Sequence, residues 1–139
     1  MKKKIGHLFK LISDRMKANG DAKLKEKNLT FTQSQVLRYV RFHEGKATQK
    51  EIEEYFKVSH PTVVGIVTRM ENNGYLHCYT DVKDRRQKIC ELTEAGYAVC
   101  EMIHTEIMES EKLFVEGLSE EEVTELMRML EIIYHNLSD

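Results

Sequence analysis

A chain of 139 residues with 41% hydrophobic and 32% charged residues, one proline and seven glycines has the composition of a helix-rich globule of one domain. That composition excludes a disordered or collagenous chain, and no apolar run approaches the length of a membrane span, so a cytoplasmic protein is expected. The net charge of −2 hides a gradient: residues 1–45 carry 11 basic against 4 acidic side chains, residues 46–92 carry 8 against 7, and residues 93–139 carry 2 against 12. A local basic patch with an acidic end held away from phosphate fits this pattern, and so does a basic first helix paired with acidic C-terminal helices.

The start, Met1-Lys2-Lys3-Lys4, precedes an apolar run interrupted by Lys10 and Asp14 and followed by no small-residue cleavage site, which predicts an amphipathic helix rather than a leader. Ile5, Leu8, Phe9, Ile12 and Met16 form its stripe, which fades at or soon after Asn19-Gly20-Asp21. Thr32 with Gln35 has the pattern of a capping box and opens a second helix with Val36, Leu37 and Val40 inside, ending near Gly45. Thr48 with Glu51 opens a short third helix carrying Ile52, Tyr55 and Phe56. Ser59 caps a fourth, His60 to Asn72, with Pro61 in the first turn where its missing N–H costs least. Its buried face is Val63, Ile66, Val67 and Met70, which leaves His60, Thr62, Gly65 and Arg69 outside.

Beyond Asn73-Gly74 the period changes. Tyr75 to Thr80 and Gln87 to Leu92 read as the strands of a hairpin around the charged tip Asp81-Val82-Lys83-Asp84-Arg85-Arg86. Thr93 caps a long helix with Cys100, Ile103, Ile107 and Phe114 on one side, Gly117 breaks it, and Ser119 with Glu122 opens a last helix with Val123, Leu126, Met127, Leu130, Ile133 and Leu137 along its stripe. The fold class is therefore mostly α with a small β-hairpin, in the order four helices, hairpin, two helices.

Two short helices followed by a hairpin with a cationic loop suit duplex DNA, because a helix fits the major groove and a projecting loop reaches phosphate or a neighbouring minor groove. The fourth helix is the candidate reader: His60, Thr62 and Arg69 offer an imidazole, a hydroxyl and a guanidinium, and Ser59 stands with the N-terminal amides suited to phosphate. Gly65 in mid-helix costs about 1 kcal/mol relative to alanine, which either close approach to DNA or close packing against a neighbouring helix would justify. At the hairpin tip Arg85, Arg86 and Lys88 cluster with Asp84 near enough to orient one arginine, against the plainer reading of a solvated tip.

These residues carry a resemblance. Val58-Ser59-His60-Pro61-Thr62-Val63, Asn73-Gly74-Tyr75-Leu76, Asp81-Val82-Lys83-Asp84-Arg85-Arg86 and Leu92-Thr93-Glu94-Ala95-Gly96 make the segment from Phe31 to Gly96 similar to the multiple-antibiotic-resistance regulator (MarR) family of winged helix-turn-helix transcription factors. The resemblance implies a single domain over 1–139, with residues 31–92 as DNA-binding lobe and 1–30 with 93–139 as a helical dimerisation region. It further implies a homodimer, a repressor by family default, binding a pseudo-palindromic double-stranded DNA operator. In it the arginine matching Arg86 enters the minor groove and the aspartate matching Asp84 holds it. Cys78 stands where many members carry arginine, so one phosphate contact is missing from the pattern. The apolar stripes of the terminal helices also exceed what a small reading head covers, which independently favours a dimer.

For regulation, the resemblance implies a small aromatic or phenolic effector, for which Phe9, Tyr39, Phe42, His43 and Met102 are the candidate lining, as against ordinary core. Thiol sensing is a second reading: Cys78, Cys90 and Cys100 lack a disulfide framework or metal spacing, yet Cys78 and Cys90 fall on opposing hairpin strands. Zinc sensing is a third, with His43, Glu44 and His104 of suitable type but Met108 four residues after His104, and neither a metal nor a cofactor is predicted. No phosphate loop, His-Glu-x-x-His helix or Gly-x-Ser-x-Gly elbow points to an enzyme, and Glu120, Glu121 and Glu122 serve a helix dipole more simply than catalysis. A winged-helix protein-interaction module is the remaining alternative.

Overall fold

The computed structural model describes residues 4–138, so the basic start Met1-Lys2-Lys3 and Asp139 lie outside the described residues. Among the described residues six helices and three strands follow in chain order: α1 (Ile5–Lys25), α2 (Phe31–Phe42), β1 (Lys46–Thr48), α3 (Gln49–Phe56), α4 (His60–Asn72), β2 (Leu76–Thr80), β3 (Lys88–Leu92), α5 (Glu94–Phe114) and α6 (Glu120–Leu137). The chain divides into two compact units, Met1–Ile103 and His104–Asp139.

Local chemistry explains most boundaries. The α2 cap stands two residues earlier than its sequence pattern suggests: the Gln33 amide donates to Thr30 Oγ1 at 3.2 Å and the Thr30 amide to Gln33 Oε1 at 3.0 Å. Thr30-x-x-Gln33 and Thr32-x-x-Gln35 have the same form, and the structure uses the earlier one, where both bonds of the box are made and Leu29 is buried just before it. Helix α1 likewise runs on through Gly20 to Lys25, because Leu24 beyond the glycine is buried and anchors the last turn. Thr48 and Ser59 cap α3 and α4, and Ser119 with Glu122 forms a complete capping box on α6.

The core of the first unit is closed. Leu37, Val40, Ile52, Val63, Met70 and Cys90 are fully buried, together with Val36, Val67 and Leu76. Beneath them lies an antiparallel sheet in the order β1-β3-β2, with Ala47 opposite Cys90 and Cys78 opposite Cys90 on the other side. Strand β1 has no counterpart in the sequence reading, since three residues are too few to display a period of two. It exists because β3 offers a second edge, and the Leu92 amide donates to Gly45 O at 2.9 Å to continue the ladder.

Helix α1, by contrast, buries only Leu24, and Ile5, Leu8, Phe9, Ile12 and Met16 are all at least 39% exposed. In the second unit α6 has no buried residue among those described.

Candidate nucleic-acid interface

Helix α4 spans the interval expected from its cap and its Asn-Gly terminus. Ser59 Oγ lies 2.9 Å from Thr62 Oγ1 and accepts from the Thr62 amide, and the Val63 amide donates to Ser59 O at 3.1 Å, so the first turn is held and, with Pro61 lacking an N–H, the His60 amide is the donor this capping leaves over. Val63, Val67 and Met70 are buried and Ile66 half-buried, which fixes the rotation of the helix. At 100° per residue the exposed positions Pro61, Thr62, Gly65, Thr68, Arg69 and Asn72 then fall within an arc of about 120°. Gly65 sits near its middle. Nothing lies within 4 Å of the position a Cβ would take there, so packing within the protomer does not require this glycine.

Of the other predicted readers, Thr62 and Arg69 are exposed as expected. His60 is exposed too, but its Nδ1 is hydrogen-bonded to Glu53 Oε1 of α3. Sequence spacing does not reveal this tie, because Glu53 and His60 are seven residues apart and lie in different helices. Val64 and Thr68 are also absent from the sequence-predicted face. Both are exposed: an apolar surface suited to a thymine methyl and a hydroxyl suited to any base edge. Rotating the helix by its buried face is the signal that finds them.

The wing is ordered by one carboxylate. Asp84 Oδ1 accepts from both the amide and Nε of Arg86 at 3.1 Å, and Oδ2 accepts from Nη2 at 3.4 Å. This Arg86 pairing holds the Asp84 carboxyl below the usual carboxylate range. The guanidinium is 91% exposed, so it is aimed without being covered. Arg85 and Lys88 are exposed beside it, and Val82 adds an apolar tip at 88% exposure. The Lys83 amide donates to Asp81 Oδ1 at 3.0 Å and the Asp81 amide to Gln87 O at 2.9 Å, closing the loop.

The base of the wing is locked to the end of α4. Gly74 takes φ +82°, the Tyr75 amide donates to Met70 O at 2.9 Å, and the Tyr75 hydroxyl donates to Lys27 O at 3.0 Å. The Thr93 hydroxyl donates to Gly74 O, its amide donates to Tyr75 O at 3.1 Å, and the Gly96 amide donates back to Thr93 Oγ1 at 3.0 Å. A Cβ on Gly96 would stand 2.2 Å from Tyr75 O, so only glycine permits this approach of α5 to the α4–β2 turn. The Asn-Gly-Tyr-Leu and Leu-Thr-x-x-Gly motifs are two halves of one joint that sets the wing against α4.

The candidate effector residues are not gathered into one enclosure. The rings of Tyr39 and His43 stack at 4.0 Å, and Tyr39 meets Tyr55 at 4.6 Å and Phe56 at 5.8 Å. Phe9, Phe42 and Met102 are exposed, Phe42 to 77%. An open cleft of about 610 Å³ lies elsewhere, lined by Lys25, Asn28, Leu29, Thr30, Gln33 and Arg69 among others. Among the described residues no three His, Cys, Asp or Glu side chains gather to hold a metal ion.

A helix set by its buried face, a capped N-terminus and a hairpin wing with an oriented arginine define a winged helix-turn-helix, a fold built for DNA. Residues 27–87 match the model of the MarR family. The chain is 30% identical to a point mutant of Staphylococcus aureus MepR over 98% of this chain and 100% of that one, with a TM-score of 0.88. A structure of a second S. aureus MepR mutant, bound to an oligodeoxyribonucleotide, is similar at 29% identity and a TM-score of 0.79, covering 99% of this chain and 100% of that one. Among curated proteins the chain is 28% identical to the HTH-type transcriptional repressor IacR of Pseudomonas putida, over 91% of this chain and 75% of that protein. The chain belongs to the MarR family of transcriptional regulators.

Proposed function

We propose that the protein is a homodimeric repressor that reads a pseudo-palindromic DNA operator with α4 in the major groove and the wing arginine Arg86 in the adjacent minor groove. The observation that carries this reading is the outward arc of α4, centred on a glycine with open space above it and flanked by Thr62, Thr68 and Arg69. An exposed mid-helix glycine weakens the helix and touches nothing within the protomer, so its benefit is sought outside it: the backbone is free to approach a base pair. Asp84 supports the wing's part by holding Arg86 outstretched before DNA arrives, which reduces the entropy lost on binding. Ser59, the His60 amide, Arg85 and Lys88 supply the phosphate contacts that fix register, and the His60 ring contributes through its bond to Glu53.

Dimerisation is supported by the uncovered stripes of α1 and α6, since an amphipathic helix without a buried face is stabilised only when something covers it. We assign residues 1–30 and 93–139 to that interface and 31–92 to the reading lobe. Repression rests on the kinship with IacR, and DNA as partner on the oligodeoxyribonucleotide complex of MepR. The stacked rings of Tyr39 and His43, extended by Tyr55, support an aromatic effector laid against that cluster.

Selection of the full-length protein against random-sequence duplex DNA tests the reading. An enriched palindrome with half-sites about one helical turn apart is expected. Recovery of sequences without a shared motif would favour the protein-interaction alternative.

A further inference from the structure

Cys78 and Cys90 are direct cross-strand partners in the wing hairpin, and their sulfurs lie 3.5 Å apart. Directly opposed residues of an antiparallel pair have Cα atoms about 4.5 or 5.5 Å apart, and both values fall within the range a disulfide spans. The bridge therefore needs the sulfurs to close to about 2 Å without parting the strands. We propose that Cys78 and Cys90 form a reversible dithiol–disulfide couple at the base of the wing, oxidised by a hydroperoxide, and that its oxidation lowers operator affinity.

The two thiols are not equivalent. Cys78 is half-buried, whereas Cys90 is fully buried at the centre of the three-stranded sheet. Burial pushes the Cys90 thiol up, whereas Cys78 is the one of the two that solvent and a peroxide can reach, with Lys88 nearby favouring its thiolate. Cys78 is thus the nucleophile and Cys90 the resolving thiol. The Cys78 thiolate attacks the terminal peroxide oxygen, the O–O bond breaks, the alcohol or water leaves with a proton, and Cys78 becomes a sulfenic acid. The Cys90 sulfur then attacks Cys78, forming the S–S bond and releasing water, which carries the sulfenic oxygen and the Cys90 proton. Two thiols lose two electrons and the peroxide gains them. Cys100, buried in α5, has no such partner in the hairpin, and burial raises its thiol.

The consequence for DNA follows from position. The Cys78 amide donates to Glu71 Oε2 of α4 at 2.9 Å, so a residue of the bridge is bonded to the reading helix. At its tip the same hairpin carries Arg86. Closing the bridge ties β2 to β3 beside the contact with α4, so the wing is restrained in one setting against the reading helix and loses the freedom to adjust to the groove. This functional half rests on the DNA-reading proposal.

The test uses the full-length protein, reduced and then exposed to a small excess of hydrogen peroxide. Alkylation with iodoacetamide in denaturant and peptide mass mapping without reductant follow. A linked Cys78–Cys90 peptide with alkylated Cys100, reversed by dithiothreitol, is expected. Both thiols alkylated, Cys78 advanced to sulfinic acid, or a link to Cys100 or to a second chain would overturn the couple. Affinity for the selected duplex should fall about 5-fold or more on oxidation and recover on reduction. Cys78→Ser, which replaces a half-buried thiol, should bind like the reduced protein and ignore peroxide, and it keeps the test decisive if Cys90→Ser fails to fold. A disulfide that forms without changing affinity, or peroxide sensitivity surviving in Cys78→Ser, would remove the regulatory role. If reduced protein selects no duplex, the DNA reading fails, while the linked peptide still decides the dithiol.

Discussion

Helices α4 and α6 are both amphipathic and capped by serine, yet they end in different states: α4 buries Val63, Val67 and Met70, and α6 buries nothing among its described residues. The difference lies in what surrounds them. Helix α4 closes onto a sheet and neighbouring helices within one unit, so its outward face is free to be chosen for recognition. Helix α6 and the stripe of α1 carry exposed apolar residues at helical spacing, so their faces are read as fitted to another chain. A single chain thus holds one helix packed into a closed core and others whose apolar stripes are uncovered, as the proposed division into reading lobe and dimer interface requires.

The contrast can be broken most forcefully in the head. Ile52→Ala, fully buried, should cost about 3 to 4 kcal/mol of unfolding free energy in a denaturant titration, and a loss under about 1 kcal/mol would show that the core is not closed there. In the terminal helices, Ile12→Glu should cost about 3 kcal/mol at the dimer contact, weakening self-association by roughly 100-fold in equilibrium sedimentation. An unchanged dimer would place the interface elsewhere. Within the head, Arg86→Ala should weaken operator binding about tenfold with the melting temperature unchanged, since its guanidinium is almost fully exposed; equal affinity would remove the wing. Gly65→Ala sharpens the comparison, because the two readouts should move oppositely: stability up by about 1 kcal/mol and operator affinity down. If affinity rises or holds, the glycine has no role at DNA.

The smallest effect concerns Asp84. Its folded pKa lies below the unfolded value, so the stabilisation it gives the wing is complete above the ordinary carboxylate range and is lost as pH falls through the lowered folded value. A carboxyl-carbon titration by NMR should show Asp84 protonating below an unpaired aspartate. Arg86→Ala should raise it part of the way back, since the backbone amide of residue 86 still donates to Asp84 Oδ1, and a titration insensitive to that change would deny the side-chain pairing.

Much of the fold was legible in the sequence because capping, glycine and period signals agreed over long segments. Ser59, Pro61 and Asn73-Gly74 bounded α4 at the observed residues, and Thr93 and Ser119 marked the starts of α5 and α6. What escaped was non-local. Strand β1 is defined by its pairing with β3 rather than by its three residues. Thr30 and Thr32 head identical patterns, so the pattern alone did not choose the cap, and the Glu53–His60 tie depended on the packing of two helices. At the site, the wing's Asp84–Arg86 pair was readable because it spans two residues, whereas the place of Thr68 and Val64 on the exposed face required the helix to be rotated by its buried side.

Two protomers are expected to read one operator together. Sedimentation velocity of a fluorescent selected duplex with increasing protein tests it most directly, comparing the natural chain with Ile12→Glu. A complex of one duplex with two chains, formed without a stable one-chain intermediate and lost in the variant, is expected. A one-chain complex of full affinity, equally strong in Ile12→Glu, would contradict it.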